Sequence, residues 1–115
     1  MFPKKHRLGS TKNIQLTFRR GRNFFNSFFI VRYLPRPDEP SRFAVIVSTK
    51  VDKSAVKRNR LKRLLREMIK KKMAFLPKGD YAVVVKPAAG KLPEEQALGS
   101  FKELMEKRVL GFKRT

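Results

Sequence analysis

From Lys57 to Lys72 the chain places nine cationic side chains beside a single carboxylate, Glu67. Side chains of this type at this density do one kind of chemistry well. They bind phosphate, arginine through paired N–H donors and lysine as a point charge. At 3.6 residues per turn, Asn59, Arg63, Arg66 and Lys70 fall on one stripe, with Arg60 and Lys62 beside it. The opposite stripe is Leu61, Leu64, Leu65, Met68 and Ile69, the i, i+3, i+4, i+7, i+8 pattern of an amphipathic helix. A merely solvated helix mixes signs and gains about 0.2–0.5 kcal/mol per i,i+4 ion pair. This segment has only Glu67 for that purpose. Lys57, Arg58 and Arg60 also stand in the first turns, at the positive end of the helix dipole, where each charge costs about 0.3–1 kcal/mol. With Ser54 as N-cap, a capping box asks for Glu or Gln at position 57, and Lys57 is there. Phosphate at that helix end offsets the cost, because backbone N–H groups and arginine forks converge on it.

Hydrolytic chemistry finds no comparable set of residues. His6 is the only histidine and lies in a basic N-terminal stretch. The adjacent acidic pairs are Asp38/Glu39 and Glu94/Glu95, in a loop and at a helix start, which the sequence sets apart from the basic helix. Two-metal catalysis needs several converging carboxylates, and thiolate or imidazole metal sites need cysteine or histidine clusters. The chain has no cysteine and no glycine-rich phosphate loop. The chain alone reads as a binder, with no catalytic residue and no metal ligand of its own.

The balance of 29 basic against 9 acidic residues gives a net charge of +20. Such a charge repels itself and calls for a polyanion, nucleic acid before an anionic membrane. Length and hydrophobic content, 115 residues at 41%, suit one globular domain. No apolar run is long enough to span a bilayer, and no apolar segment follows the basic start. A cytoplasmic protein is expected, without a membrane partner or a small-molecule substrate.

The elements that must position the basic helix follow from pattern. A basic arm over residues 1–9 is expected to be mobile until bound. A short helix follows, with Ser10 or Thr11 as N-cap and Gly21 as its stop, placing Ile14 and Phe18 on one face. Phe24 to Leu34 reads as a strand, with Phe29, Val31 and Tyr33 on one side and Phe28, Ile30 and Arg32 on the other. After a loop at 35–40, Phe43 to Ser48 is a second strand, expected to pair with the first as a hairpin. The basic helix spans about Ser54 to Lys72, and Tyr81 to Val85 has the continuous apolar character of an interior strand. Strand, helix and strand suggest a βαβ unit with a parallel pair. A last helix starts near Pro93, with Glu94 and Glu95 at its positive end and Ala97, Leu98, Phe101, Leu104 and Met105 buried. The fold class is α+β, a small mixed sheet with about three helices in a single domain spanning 1–115.

Residues 55–67, Ala-Val-Lys-Arg-Asn-Arg-Leu-Lys-Arg-Leu-Leu-Arg-Glu, closely resemble the signature of the bacterial ribonuclease P protein subunit. The likeness extends to Arg7-Leu8, to Phe18 and Gly21, to Ser48 and Lys50, and to 80–84, Asp-Tyr-Ala-Val-Val. It implies a left-handed βαβ crossover of the ribosomal protein S5 domain 2-like type, where the general rule favours right-handed ones. It also implies a function. In that family a catalytic RNA removes the 5′ leader of precursor tRNA with bound Mg²⁺, held mainly by RNA, and the protein binds both RNAs. This makes the chain part of an endoribonuclease without protein catalysis. Carried over, Lys53, Lys57, Arg58, Asn59, Arg60, Lys62, Arg63 and Arg66 would engage the RNA subunit. Ile14, Phe18, Phe28, Ile30 and Arg32 would line a cleft for the single-stranded leader, where flat side chains beside cations suit unpaired bases. Position 14 is often Phe in the family and position 32 sometimes aromatic, and Arg42-Phe43-Ala44 stands for the usual Arg-Leu-Gly. Composition alone would fit a ribosomal protein or general RNA chaperone equally well.

Overall fold

The computed structural model describes residues 2–111; Met1 and residues 112–115 of the expected 1–115 domain lie outside the described residues. Helix α1 (Thr11–Arg20) precedes strands β1 (Arg22–Phe25), β2 (Phe29–Pro35) and β3 (Arg42–Ile46). Helix α2 (Ala55–Lys72), strand β4 (Gly79–Val85) and helix α3 (Glu94–Leu104) complete the order, and α3 runs on into a π-helical turn, Met105–Val109. The sheet order is β1-β2-β4-β3, with β3 parallel to β4 and the other pairs antiparallel.

Alternation along the strands sends odd-numbered side chains to one face. Phe29, Val31 and Tyr33 on β2, Phe43 and Val45 on β3, and Tyr81 and Val83 on β4 are all buried there. They meet Leu65 and Ile69 from α2, Phe101 and Leu104 from α3, and Met105 from the turn that follows it. Tyr33 stacks on Tyr81 at 4.8 Å, Tyr81 on Phe43 at 4.9 Å, and Phe43 on Phe2 at 5.3 Å. This ladder crosses the sheet at one level and ends on the N-terminal arm. Each such pair adds about 0.5–1.5 kcal/mol beyond its buried area. Even-numbered residues face the other side, which α1 partly covers from β2 to β4.

Three expectations need correction. The run 24–34 is two strands, because Asn26 turns the chain. Its Oδ1 accepts from the N–H groups of Phe28 and Phe29 at 2.8 and 2.9 Å, and its Nδ2 donates to Ser100 Oγ at 2.9 Å. Strand β3 makes no hairpin with β2; the more apolar β4, whose pairing needs burial on both faces, inserts between them. The arm is docked rather than loose. Phe2 and Leu8 are buried, the Leu8 N–H donates to the Phe43 carbonyl at 2.9 Å, and Arg7 forms a parallel bridge with Phe43. Burial of two large apolar side chains outweighs the entropy of ordering a short segment.

Both helix starts follow the sequence. Ser10 caps α1, accepting from Asn13 N–H, and Ser54 caps α2, accepting from Lys57 N–H at 3.3 Å. Gly21 ends α1 with an ordinary negative φ of −76°. It is needed for space instead, since a Cβ there would collide with the Thr17 carbonyl.

Candidate nucleic-acid interface

Helix α2 lies with Leu65 and Ile69 in the core and Leu61, Leu64 and Met68 half-buried around them. That fixes its rotation, so Lys57, Asn59 and Arg63 stand exposed and Lys62 and Arg66 half-exposed. Lys53 is exposed in the loop just before the helix.

Two of the expected phosphate ligands have partners within the fold. Arg58 folds back to the preceding loop, donating from Nη1 to the Asp52 and Lys53 carbonyls at 2.9 and 3.0 Å. Arg60 forms a two-pronged pair with Glu94 of α3, Nε to Oε2 at 2.9 Å and Nη2 to Oε1 at 3.0 Å. The acidic pair at 94–95 is therefore not apart from the basic helix; Glu94 clamps α3 to it. The fork holds the Glu94 carboxyl below its ordinary range, and the nearby charges of Arg60 and Arg63 add to the effect. The capping box is also completed, from an unexpected place. With Lys57 at the usual acidic position, the Asp52 carboxylate accepts from the Ser54 N–H at 2.9 Å.

The outer edge of β3 carries a groove of about 250 Å³. It runs from Ile14 of α1, past Ala44 and Ile46, to Arg66 of α2, with Arg7 at its mouth. The groove thus joins the two sides of the sheet. Of the residues assigned to a leader cleft, Ile14 lines it. Phe18 lies one turn further along α1, half-buried. Ile30 and Arg32 are half-buried on the α1 side of β2, and Arg32 Nη1 reaches the Gly21 carbonyl at 3.5 Å. Phe28 sits in the Asn26 turn and packs against the core cluster, which separates it from Ile30 and Arg32. Ala44, Ile46 and Arg7 escaped the sequence reading. The parity of β3 carries the signal for the first two, because 44 and 46 face away from buried Phe43 and Val45.

Charge is also organised at the other end of β3. Asp80 is buried, at 2% exposure, and receives Arg42 through Nε and Nη2 at 2.8 and 2.7 Å and Arg36 through Nη1 at 3.1 Å. The bonds to Asp80 raise Arg42 above its ordinary value against partial burial, so it stays charged. His6 uses Nδ1 to bond the Ser41 carbonyl at 2.7 Å, which anchors the arm. Among the described residues no three His, Cys, Asp or Glu side chains gather around a point where one ion could sit. No helix among the described residues is long and apolar enough to cross a membrane.

Comparison with known proteins agrees with this arrangement. The chain is 32% identical over 108 residues to the ribonuclease P protein component of Bacillus velezensis, covering 93% of this chain and 92% of that one. It is 30% identical to the corresponding protein of a Cyanothece species, covering 91% and 93%. The Staphylococcus aureus RNase P protein structure superposes with a TM-score of 0.83 over 93% of this chain and 99% of that one; at 24% identity this establishes the shared fold. The family model for ribonuclease P matches residues 2–109, and the chain belongs to the ribonuclease P protein family.

Proposed function

We propose that the exposed cations of α2 bind the catalytic RNA of ribonuclease P and that the groove at the β3 edge receives the 5′ leader of precursor tRNA. The observation that carries this reading is the continuity between the two surfaces, since Arg66 belongs to α2 and also closes the groove that begins at Ile14. Lys53, Lys57, Asn59, Lys62 and Arg63 face outward with no carboxylate bound to them among the described residues, and are available to phosphate. Arg58 acts by shaping the loop before α2. Arg60 must exchange Glu94 for phosphate or bridge both. Unpaired bases fit the apolar floor of Ile14, Ala44 and Ile46, with Phe18 and Ile30 further along the same side of the sheet. Base stacking on flat side chains contributes about 1–3 kcal/mol per base.

On this reading the protein contributes binding and positioning, and Mg²⁺-dependent cleavage of the leader is carried by the RNA. Reconstitution tests it directly. The protein with a bacterial ribonuclease P RNA should raise cleavage of precursor tRNA at low Mg²⁺, and should favour precursor over mature tRNA in binding. Equal affinity for the two would leave a general RNA chaperone as the better description.

A further inference from the structure

The N-terminal arm is fixed by its backbone and its apolar side chains, and its cations are left outside. Lys4, Lys5 and Arg7 are exposed, and none of them forms an ion pair among the described residues. Together with Arg36 and Arg42 they line one hollow of about 350 Å³, in which Glu39 is the acidic wall residue. Arg36 and Arg42 are set from beneath by buried Asp80, and Arg42 keeps Nη1 out of those bonds. Arg36 also pairs with Glu39 at 3.8 Å, so Asp80 and Glu39 balance the two guanidiniums of the floor, and the excess positive charge of the hollow is that of Lys4, Lys5 and Arg7. These three cations repel one another, and no carboxylate is bound to them among the described residues. A phosphodiester offsets that repulsion, through charge-assisted bonds from Lys4, Lys5 and Arg7 and from the Arg42 Nη1 that Asp80 leaves open.

The hollow connects to the groove, because Arg7 lines both. Along β3, Arg42 at the first position faces the hollow and Ile46 at the last faces the groove. Four steps along the strand separate them, about 13 Å. The arm that walls the hollow starts beside the last turns of α2, where Lys70 Nζ stands 6.0 Å from the Phe2 ring. The cations assigned to the catalytic RNA crowd the first turns, at the opposite end. A leader emerging from the site held by that RNA would therefore cross the groove first and reach the hollow later.

We infer that the hollow formed by the arm and the β2–β3 loop is a second phosphate site, which takes the backbone of leader nucleotides lying beyond the groove. This rests on the leader reading above. Its test uses the reconstituted holoenzyme carrying Lys4→Gln with Lys5→Gln, two exposed changes that leave the core intact. Affinity is measured for precursor tRNA with a long leader, precursor tRNA with a one-nucleotide leader, and mature tRNA, at several salt concentrations. The variant should bind the long-leader substrate several-fold more weakly. Its log–log salt slope should be shallower by about 0.7 for each phosphate that the protein no longer neutralises. Binding of the other two RNAs should not change. A variant that matches a wild type able to discriminate leader length overturns this site alone. Equal losses on all three RNAs overturn it by assigning the hollow to the RNA subunit. A wild type blind to leader length removes the leader reading and this site together.

Discussion

Arg60 gives both prongs of its guanidinium to Glu94, on a helix 34 positions away, while standing on the face that phosphate must reach. Two anions thus compete for one cation. The Glu94 carboxyl is held below its ordinary range by that fork. A carboxyl depressed in the folded state contributes stability above its unfolded pKa, and the contribution is lost as pH falls through the folded value. Glu94→Gln should therefore lower the Tm at neutral pH, and the difference from wild type should close in acid, below the ordinary carboxylate range. Thermal melts followed by circular dichroism from pH 7 downward would show it. Binding should change in the opposite sense. A freed Arg60 gains a phosphate, so the salt slope for the RNA subunit should steepen by up to about 0.9. An unchanged slope would place Arg60 outside the interface. The charge and the face of Arg60 were legible in the sequence, because helical spacing fixes both. Its partner was not, since nothing local links 60 to 94. Arg58 makes the same point: its type suggests a phosphate ligand, and its position makes it a brace for the loop carbonyls.

At the level of elements, helices were readable where a cap and an apolar stripe agree, as in α2 after its Ser54 cap. The strands were less so. Phe24 to Leu34 is apolar throughout, so only the side-chain chemistry of Asn26 marks the break, and an apolar run does not encode its neighbour in the sheet. The arm was the largest miss, because three cations near the terminus outweigh one Phe and one Leu in any compositional reading. Yet Phe2 carries the aromatic ladder past β3 to the chain start. Phe2→Ala should cost on the order of 3 kcal/mol, the low end for a buried Phe. It should also expose the Leu8 amide, now bonded to Phe43, to rapid hydrogen exchange. Denaturant titration reads the first effect and exchange by NMR the second. Loss of stability with Leu8 still protected would mean that the backbone bridge, and not the stack, holds the arm.

For the whole molecule the governing quantity is the charge of +20 on a body of 38 × 28 × 25 Å. Five ion pairs form among the described residues, and they engage Arg36, Arg42, Arg60 and Lys72. Most of the described cations therefore have no carboxylate bound to them. At 0.1 M salt the Debye length is about 10 Å, so charges across one face still repel; at 1 M it is about 3 Å and that repulsion is screened. The surface pairs Arg60–Glu94 and Lys72–Glu106 are weakened by the same screening, but they are few. The Arg42–Asp80 pair is buried on its acidic side and is screened less. Repulsion should dominate, and the Tm of the free protein should rise with sodium chloride between 0.1 and 1 M. A domain of about this size gains roughly 4 °C for each kcal/mol of relieved repulsion. Chloride is the right anion for the measurement, because sulfate strengthens burial on its own account. Over the same range affinity for RNA should fall steeply, as displaced counterions are no longer released to advantage. Salt would thus stabilise the free protein and dissociate its complex through one cause. A Tm that falls with chloride would instead show that the few ion pairs outweigh the repulsion, and that the excess charge carries no folding penalty for RNA to relieve.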